Sequence, residues 1–115
     1  MPVRFVLVKL KPGVSAEDYE RFIRTVDYPV VPSLKTIVDY RTNRIQPQDK
    51  DAASFPWDYM ERIVVTDVAA YQQELANSTG FAEFKRLMPN YVETQKSFWA
   101  EIVEPDDHDD HDGHA

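Results

Sequence analysis

The stretch Phe55-Pro56-Trp57-Asp58-Tyr59-Met60-Glu61-Arg62-Ile63-Val64-Val65-Thr66 decides the fold. It opens on a proline between large aromatics and closes on a β-branched run, the composition of a strand. Successive side chains alternate between the two faces of a strand. Ile63, Val64 and Val65 therefore put apolar groups on both faces, while Tyr59 and Glu61 share one face and Asp58 and Arg62 the other. A strand apolar on both faces at one end and charged at the other runs from a core to a cavity or rim. The Trp57–Arg62 half is expected to line a site; the plainer alternative is a polar strand end with two surface ion pairs.

Upstream, Val3 to Leu10 reads as another two-faced strand, with Phe5 and Leu7 opposite Val6 and Val8, ended by a turn at Pro12-Gly13. Ser15 is a good helix N-cap, and Tyr19, Phe22, Ile23 and Val26 form an apolar stripe at i, i+3, i+4 and i+7. Pro29 ends this helix near Asp27-Tyr28, because the residue before a proline avoids helical geometry. Lys35 to Ile45 reads as a second strand, its middle too polar for the centre of a sheet. Its alternation puts Ile37, Asp39, Arg41, Asn43 and Ile45 on one face, and Val38, Tyr40, Thr42 and Arg44 on the other. Gln46 to Ser54 is a polar loop long enough to fold over a cavity mouth.

Downstream, Asp67 caps a second helix whose stripe is Val68, Tyr71 and Leu75. Asn77-Ser78-Thr79-Gly80 interrupts it, and Phe81, Phe84, Leu87 and Met88 resume the spacing, so two pieces with a break at Gly80 are expected. Tyr91 to Gln95 is ambiguous, and Ser97 to Glu104 reads as the last strand.

The order βαββαβ is that of a ferredoxin-like α+β domain: a four-stranded antiparallel sheet with helices on one face. Its first and third strands are central, and both are apolar on the face the helices leave bare. A second copy is the simplest cover, so a homodimer packed sheet to sheet is expected.

The 115 residues suit one domain, taken as 1–104, followed by an acidic, His-containing tail over 105–115 that is expected to be disordered. The net charge of −7 argues against a nucleic-acid partner, which calls for a basic surface. No apolar run is long enough for a membrane helix, no secretory leader is expected at Met1-Pro2-Val3-Arg4, and the absence of cysteine excludes thiolate chemistry and allows a cytoplasmic setting. In the tail, His108, His111 and His114 lie among aspartates. Neutral imidazoles and carboxylates suit Zn, Ni or Cu, although a solvated tail that binds metal only weakly and without purpose is the simpler reading.

Asp27-Tyr28-Pro29, Tyr40-Arg41 with Arg44, and Trp57-Asp58-Tyr59-Met60-Glu61 leading to Val65-Thr66-Asp67 resemble the REDY-like (HapK-like) family, as do Leu7-Val8-Lys9-Leu10-Lys11 and Asp18-Tyr19-Glu20. The resemblance covers roughly residues 3 to 104 and does not extend to the tail. It implies a dimeric α/β barrel that works on a small aromatic metabolite. It also implies a role in secondary-metabolite biosynthesis, of prodiginines or related pyrrole or indole products, without a tightly bound cofactor.

The residues themselves show no Gly-rich nucleotide loop, and every histidine is in the tail, so neither a nucleotide cofactor nor a haem inside the domain is expected. The same placement removes the usual histidine base. Asp27, Asp39, Asp58, Glu61, Lys9, Arg41, Arg44 and the phenols Tyr28, Tyr40 and Tyr59 remain. A carboxylate lifted by burial exchanges protons near neutral pH, and an arginine holds a developing enolate or carboxylate. Such a set suits proton transfer, dehydration or cyclisation of a keto intermediate. Glu61 or Asp58 is the expected proton carrier, Arg41 or Arg44 the expected anion holder, and Tyr59 joins this catalytic group. Tyr28, Tyr40, Trp57 and Trp99 are the expected substrate-binding aromatics. Two other readings stay open: a non-catalytic carrier dimer, and a cofactorless monooxygenase of the antibiotic type.

Overall fold

The computed structural model describes residues 1–48 and 55–103. Strand β1 (Pro2–Leu10) leads to helix α1 (Ala16–Phe22), which continues into a π-helical turn, Ile23–Asp27. Strands β2 (Ile37–Arg44) and β3 (Tyr59–Val65) follow, then helices α2 (Val68–Asn77) and α3 (Thr79–Leu87) and strand β4 (Val92–Glu101). The sheet order is β2-β3-β1-β4, with every neighbouring pair antiparallel. This is the ferredoxin-like α+β arrangement, with the two-faced strands β1 and β3 in the centre.

Alternation sorts the sheet into two faces. Val6 and Val8 of β1 and Tyr59, Ile63 and Val65 of β3 pack in one core with Tyr19, Phe22 and Ile23, Tyr71 of α2 and Phe84 of α3. Phe22 stacks between Phe84 and Tyr91, with ring centroids 5.3 and 4.4 Å away. The opposite face carries Phe5, Leu7, Met60 and Phe98; Phe5 and Phe98 stack at 5.5 Å, and Phe98 is 46% exposed. Among the described residues no helix lies on this second face, and none is long and apolar enough to cross a membrane.

Several local details differ from the alternation of the sequence. A bulge between Ile37 and Asp39 inserts Val38 as an extra residue in β2. One added residue reverses strand parity. Ile37 therefore joins the core side, while Asp39, Arg41 and Asn43 fall on the face away from the helices, so Ile37 and Asp39 do not share a face as simple alternation requires. The helical break falls at Ser78, whose Oγ accepts a hydrogen bond from the Phe81 amide at 3.0 Å and starts α3 two residues before Gly80. Gly80 is needed for proximity: a Cβ there would sit 2.5 Å from Val30 Cγ1. The ambiguous segment before Ser97 is strand from Val92 onward, and β3 is regular only from Tyr59. The parts of the 46–54 loop beyond residue 48, and the tail with His108, His111 and His114, lie outside the described residues.

Candidate functional site

Between the sheet and the helices is a cavity of about 410 Å³. This is within the range of small-molecule sites, roughly 300–1,000 Å³. Its walls are mainly apolar and aromatic: Val6, Ile63, Val31, Leu75, Phe81, Phe84, Met88 and Trp99. Against them stand Asp27, Tyr40, Glu61, Arg4 and Tyr71. Asp27 is 1% exposed and Glu61 8% exposed, the two buried acids among the described residues.

Each acid reaches the cavity by a local device. In the π-helical turn the Tyr28 amide donates to the Ile23 carbonyl at 2.8 Å, five residues back. The wider turn, of a kind common at functional sites, carries Asp27 inward before Pro29 stops the helix. Glu61 follows Tyr59 on the helix-facing row of β3, at the point where that row changes from apolar to polar. The β2 bulge then brings Tyr40 into the same row, opposite Ile63 and diagonal to Glu61.

The three groups touch. Tyr40 Oη lies 2.5 Å from Asp27 Oδ2 and 3.1 Å from Glu61 Oε2. A phenol has one hydrogen to donate. If it goes to the nearer oxygen of Asp27, a charged Glu61 would face a lone pair of Tyr40 across 3.1 Å. A protonated Glu61 instead donates its own O–H to Tyr40 Oη. The site therefore holds one carboxylic acid, one carboxylate and a phenol between them. The electrostatics agree: burial, then the charge of Asp27, pushes Glu61 up to about 7, and burial pushes Asp27 up to about 6 despite the Tyr40 hydrogen bond. Burial and both acids raise Tyr40 as well, so it stays a phenol. Among the described residues Asp27 Oδ1 is buried without a hydrogen-bond partner. A buried acceptor without a partner costs about 1–3 kcal/mol. Two carboxyls fall short of a metal site, and among the described residues no three such ligands gather.

The other expected site residues are dispersed. Tyr59 is buried in the core, and its hydroxyl donates to Glu20 Oε2 at 2.6 Å; Arg44 pairs with the same carboxylate. Hydrogen bonds from Tyr59 and Arg44 hold Glu20 below the usual carboxylate range. This cluster lines a separate, open hollow with Tyr28 and Thr42. Tyr28 still meets the acid pair indirectly, its ring edge-on to Tyr40 at 6.1 Å. Asp58 closes a strand end, accepting from the Leu10 amide at 2.8 Å. Arg41, 70% exposed at its side chain, pairs with Asp39 on the face away from the cavity. Trp57 is half-buried ahead of β3 and is not among the cavity-lining residues, whereas Trp99 lines the cavity and packs edge-on to Tyr71 at 5.7 Å. The structure thus brings Glu61, Tyr40 and Trp99 to one cavity and leaves Asp58, Arg41, Arg44, Tyr59, Tyr28 and Trp57 outside it.

Arg4 and Tyr71 were not singled out from the sequence as site residues. Tyr71 carries no distinguishing mark in the α2 stripe. Arg4 does carry one: it shares its row with Val6 and Val8, so it is a charge on the helix-facing side of a central strand. Asp27 gave a similar sign, since it extends the helix stripe Tyr19, Ile23, Val26 with an acid.

A family model described as "REDY-like protein HapK" matches residues 2–103. Among solved structures, HapK from Hahella chejuensis is similar with a TM-score of 0.73 and 23% identity, covering 92% of this chain and 96% of that one. A dabb family protein with a ferredoxin-like fold from Mesorhizobium loti superposes with a TM-score of 0.67 at 15% identity, over 89% and 96% of the two chains. A dimeric ferredoxin-like protein of unknown function from Jannaschia sp. gives 0.69 at 12% identity, over 88% and 98%. No curated protein matches the chain.

Proposed function

The chain belongs to the REDY-like HapK family, and from that premise we propose that it is a cofactor-independent acid–base catalyst acting on a small aromatic, carbonyl-bearing intermediate of secondary metabolism, of the prodiginine or related pyrrole or indole type. One observation carries this reading: a single phenol hydrogen lies between two buried carboxyls on the wall of a cavity whose other walls are largely apolar and aromatic. Asp27 is the base. It takes a proton from a carbon next to the carbonyl; the C–H pair becomes a C=C bond, and the carbonyl π pair moves to oxygen. Glu61 is the acid and delivers its proton to that oxygen or, in a dehydration, to a departing hydroxyl that leaves as water. Tyr40 then takes the proton from Asp27 while passing its own to Glu61, which restores the starting state, and the O–H hydrogens of this relay exchange with water between turnovers. Such positioned proton transfers accelerate reactions by about 10²–10⁴-fold.

A neutral, planar, enolisable probe tests this. 2-Indanone in D₂O with the purified protein should exchange its α-hydrogens faster than in buffer, followed by proton NMR. Binding of 2-indanone without faster exchange would overturn the catalytic reading and favour the carrier.

The functional unit we propose is a homodimer. The exposed Phe98, stacked on Phe5 near Leu7 and Met60, forms an apolar patch, bordered by Arg62 and Lys96, on the sheet face where no described helix packs. Light scattering at micromolar concentration should give twice the chain mass, and Phe98→Lys should give the monomer mass by placing a charge in that face. A wild-type monomer would sink this proposal.

A further inference from the structure

We propose that Arg4 is the anion seat of the cavity, so that the ligand is a planar aromatic carrying one negative charge, or developing one on oxygen, with that oxygen on the Arg4 guanidinium and its ring against Trp99. This deepens the proposed function and rests on it for the location of the ligand.

Arg4 occupies the middle of the cavity floor. It is directly across the sheet from Ile63 on β3 and from Trp99 on β4, which makes Glu61 its diagonal neighbour on the same face. A guanidinium offers five N–H donors in a planar fork suited to two carboxylate oxygens. Arg4 uses one donor on protein, from Nη1 to the Tyr71 hydroxyl at 3.1 Å, and its charge acts on Glu61 without a direct ion pair between them among the described residues. Tyr71 is edge-on to Trp99 and steadies both the guanidinium and the indole. A half-buried arginine with most donors unused is costly unless something anionic meets it.

The charges facing the cavity point the same way. Arg4 and Lys85 are cations there, Asp27 is a carboxylate, and Glu61 is an acid in the resting arrangement derived above. Two positive charges against one negative leave room for a single anionic charge. Arg41 and Arg44 cannot supply that seat, because one is on the far face and the other is tied to Glu20 outside the cavity.

The test compares 2-naphthoate with its uncharged isostere 2-naphthamide by titration calorimetry on the full chain. Wild-type protein should bind naphthoate at least tenfold more tightly than naphthamide. Arg4→Met should abolish that preference by weakening naphthoate alone, and Arg4→Lys, which keeps the charge without the fork, should recover part of it. The Arg4→Lys variant and a matching melting temperature separate loss of the seat from loss of the fold. Equal binding of the two ligands by wild type, or equal weakening of both in Arg4→Met, would overturn the seat. So would absence of naphthoate binding. In each case accelerated 2-indanone exchange would still leave the acid–base reading standing, since that probe carries no charge.

Discussion

Asp27→Asn is expected to slow the protein-dependent deuteration of 2-indanone by about 10²–10⁴-fold, the span usual for loss of a positioned base. The amide keeps the volume of the carboxyl and can still accept the Tyr40 hydrogen bond through its oxygen. It cannot take a proton. Among the described residues Asp27 Oδ1 is a buried carboxyl oxygen without a hydrogen-bond partner, so its lone pairs are not committed to the protein. Binding of 2-indanone should change only a few-fold, which places the loss in the chemical step. Arg41→Met is the control: its side chain is paired with Asp39 on the far face, and exchange should be unaffected. Full exchange in Asp27→Asn, or a large loss in Arg41→Met, would move the chemistry away from the cavity.

Glu61→Gln is expected to make the protein more stable above neutral pH while removing its acid. Glu61 is raised to about 7 and Asp27 to about 6 in the folded protein, both by burial first. In the unfolded chain both return to roughly 4. Below pH ~4 each group is protonated in both states, and the stability is fully present. Between there and pH ~7 the unfolded chain releases its protons before the folded one does, so stability falls as pH rises and the contribution is gone above the folded values. One pKa unit is worth about 1.4 kcal/mol, so for Glu61 the loss at pH 8 is on the order of a few kcal/mol. Glutamine cannot ionise and can donate from Nε2 to Tyr40 Oη much as the protonated acid does. Urea denaturation at fixed protein concentration should therefore show Glu61→Gln ahead of wild type by about 1–3 kcal/mol at pH 8 and level with it at about pH 4. A variant that is less stable than wild type at pH 8 would mean that Glu61 is a paired structural charge.

Much of the fold was legible because its decisive signals are local and periodic. The two-faced strands Val3–Leu10 and Ile63–Val65, the stripe from Tyr19 to Val26 and the caps Ser15 and Asp67 each announce an element, and together they allow one familiar order. The site was legible only where a charge broke such a pattern. Glu61 broke an apolar strand and lies on the cavity wall. Tyr40 and Trp99 read as aromatic faces for a substrate, and the structure adds a hydrogen-bonding role for the first. Asp58, Arg41 and Arg44 broke strands equally well, but their partners are a backbone amide, Asp39 and Glu20, none of which periodicity can reveal. The bulge at Val38 was invisible for the same reason: one extra residue reverses the faces of β2 without altering its composition. Asp27 extends the helix stripe with an acid, but the π-helical turn that carries it inward is not anticipated by spacing.

The central claim is that Asp27, Tyr40 and Glu61 share one acid proton at neutral pH. Carboxyl ¹³C NMR of protein labelled at Asp and Glu, titrated from pH 3 to 9 and assigned with Asp27→Asn and Glu61→Gln, tests it most directly. The account predicts two raised, linked titrations, near 6 and near 7, with the upper one assigned to Glu61. It also predicts that Asp27→Asn shifts the Glu61 titration downward, because removing that charge relieves Glu61, whereas Glu61→Gln, which replaces an acid that is neutral while Asp27 titrates, leaves Asp27 near 6. Both carboxyls titrating independently near their ordinary values, roughly 4, would contradict it.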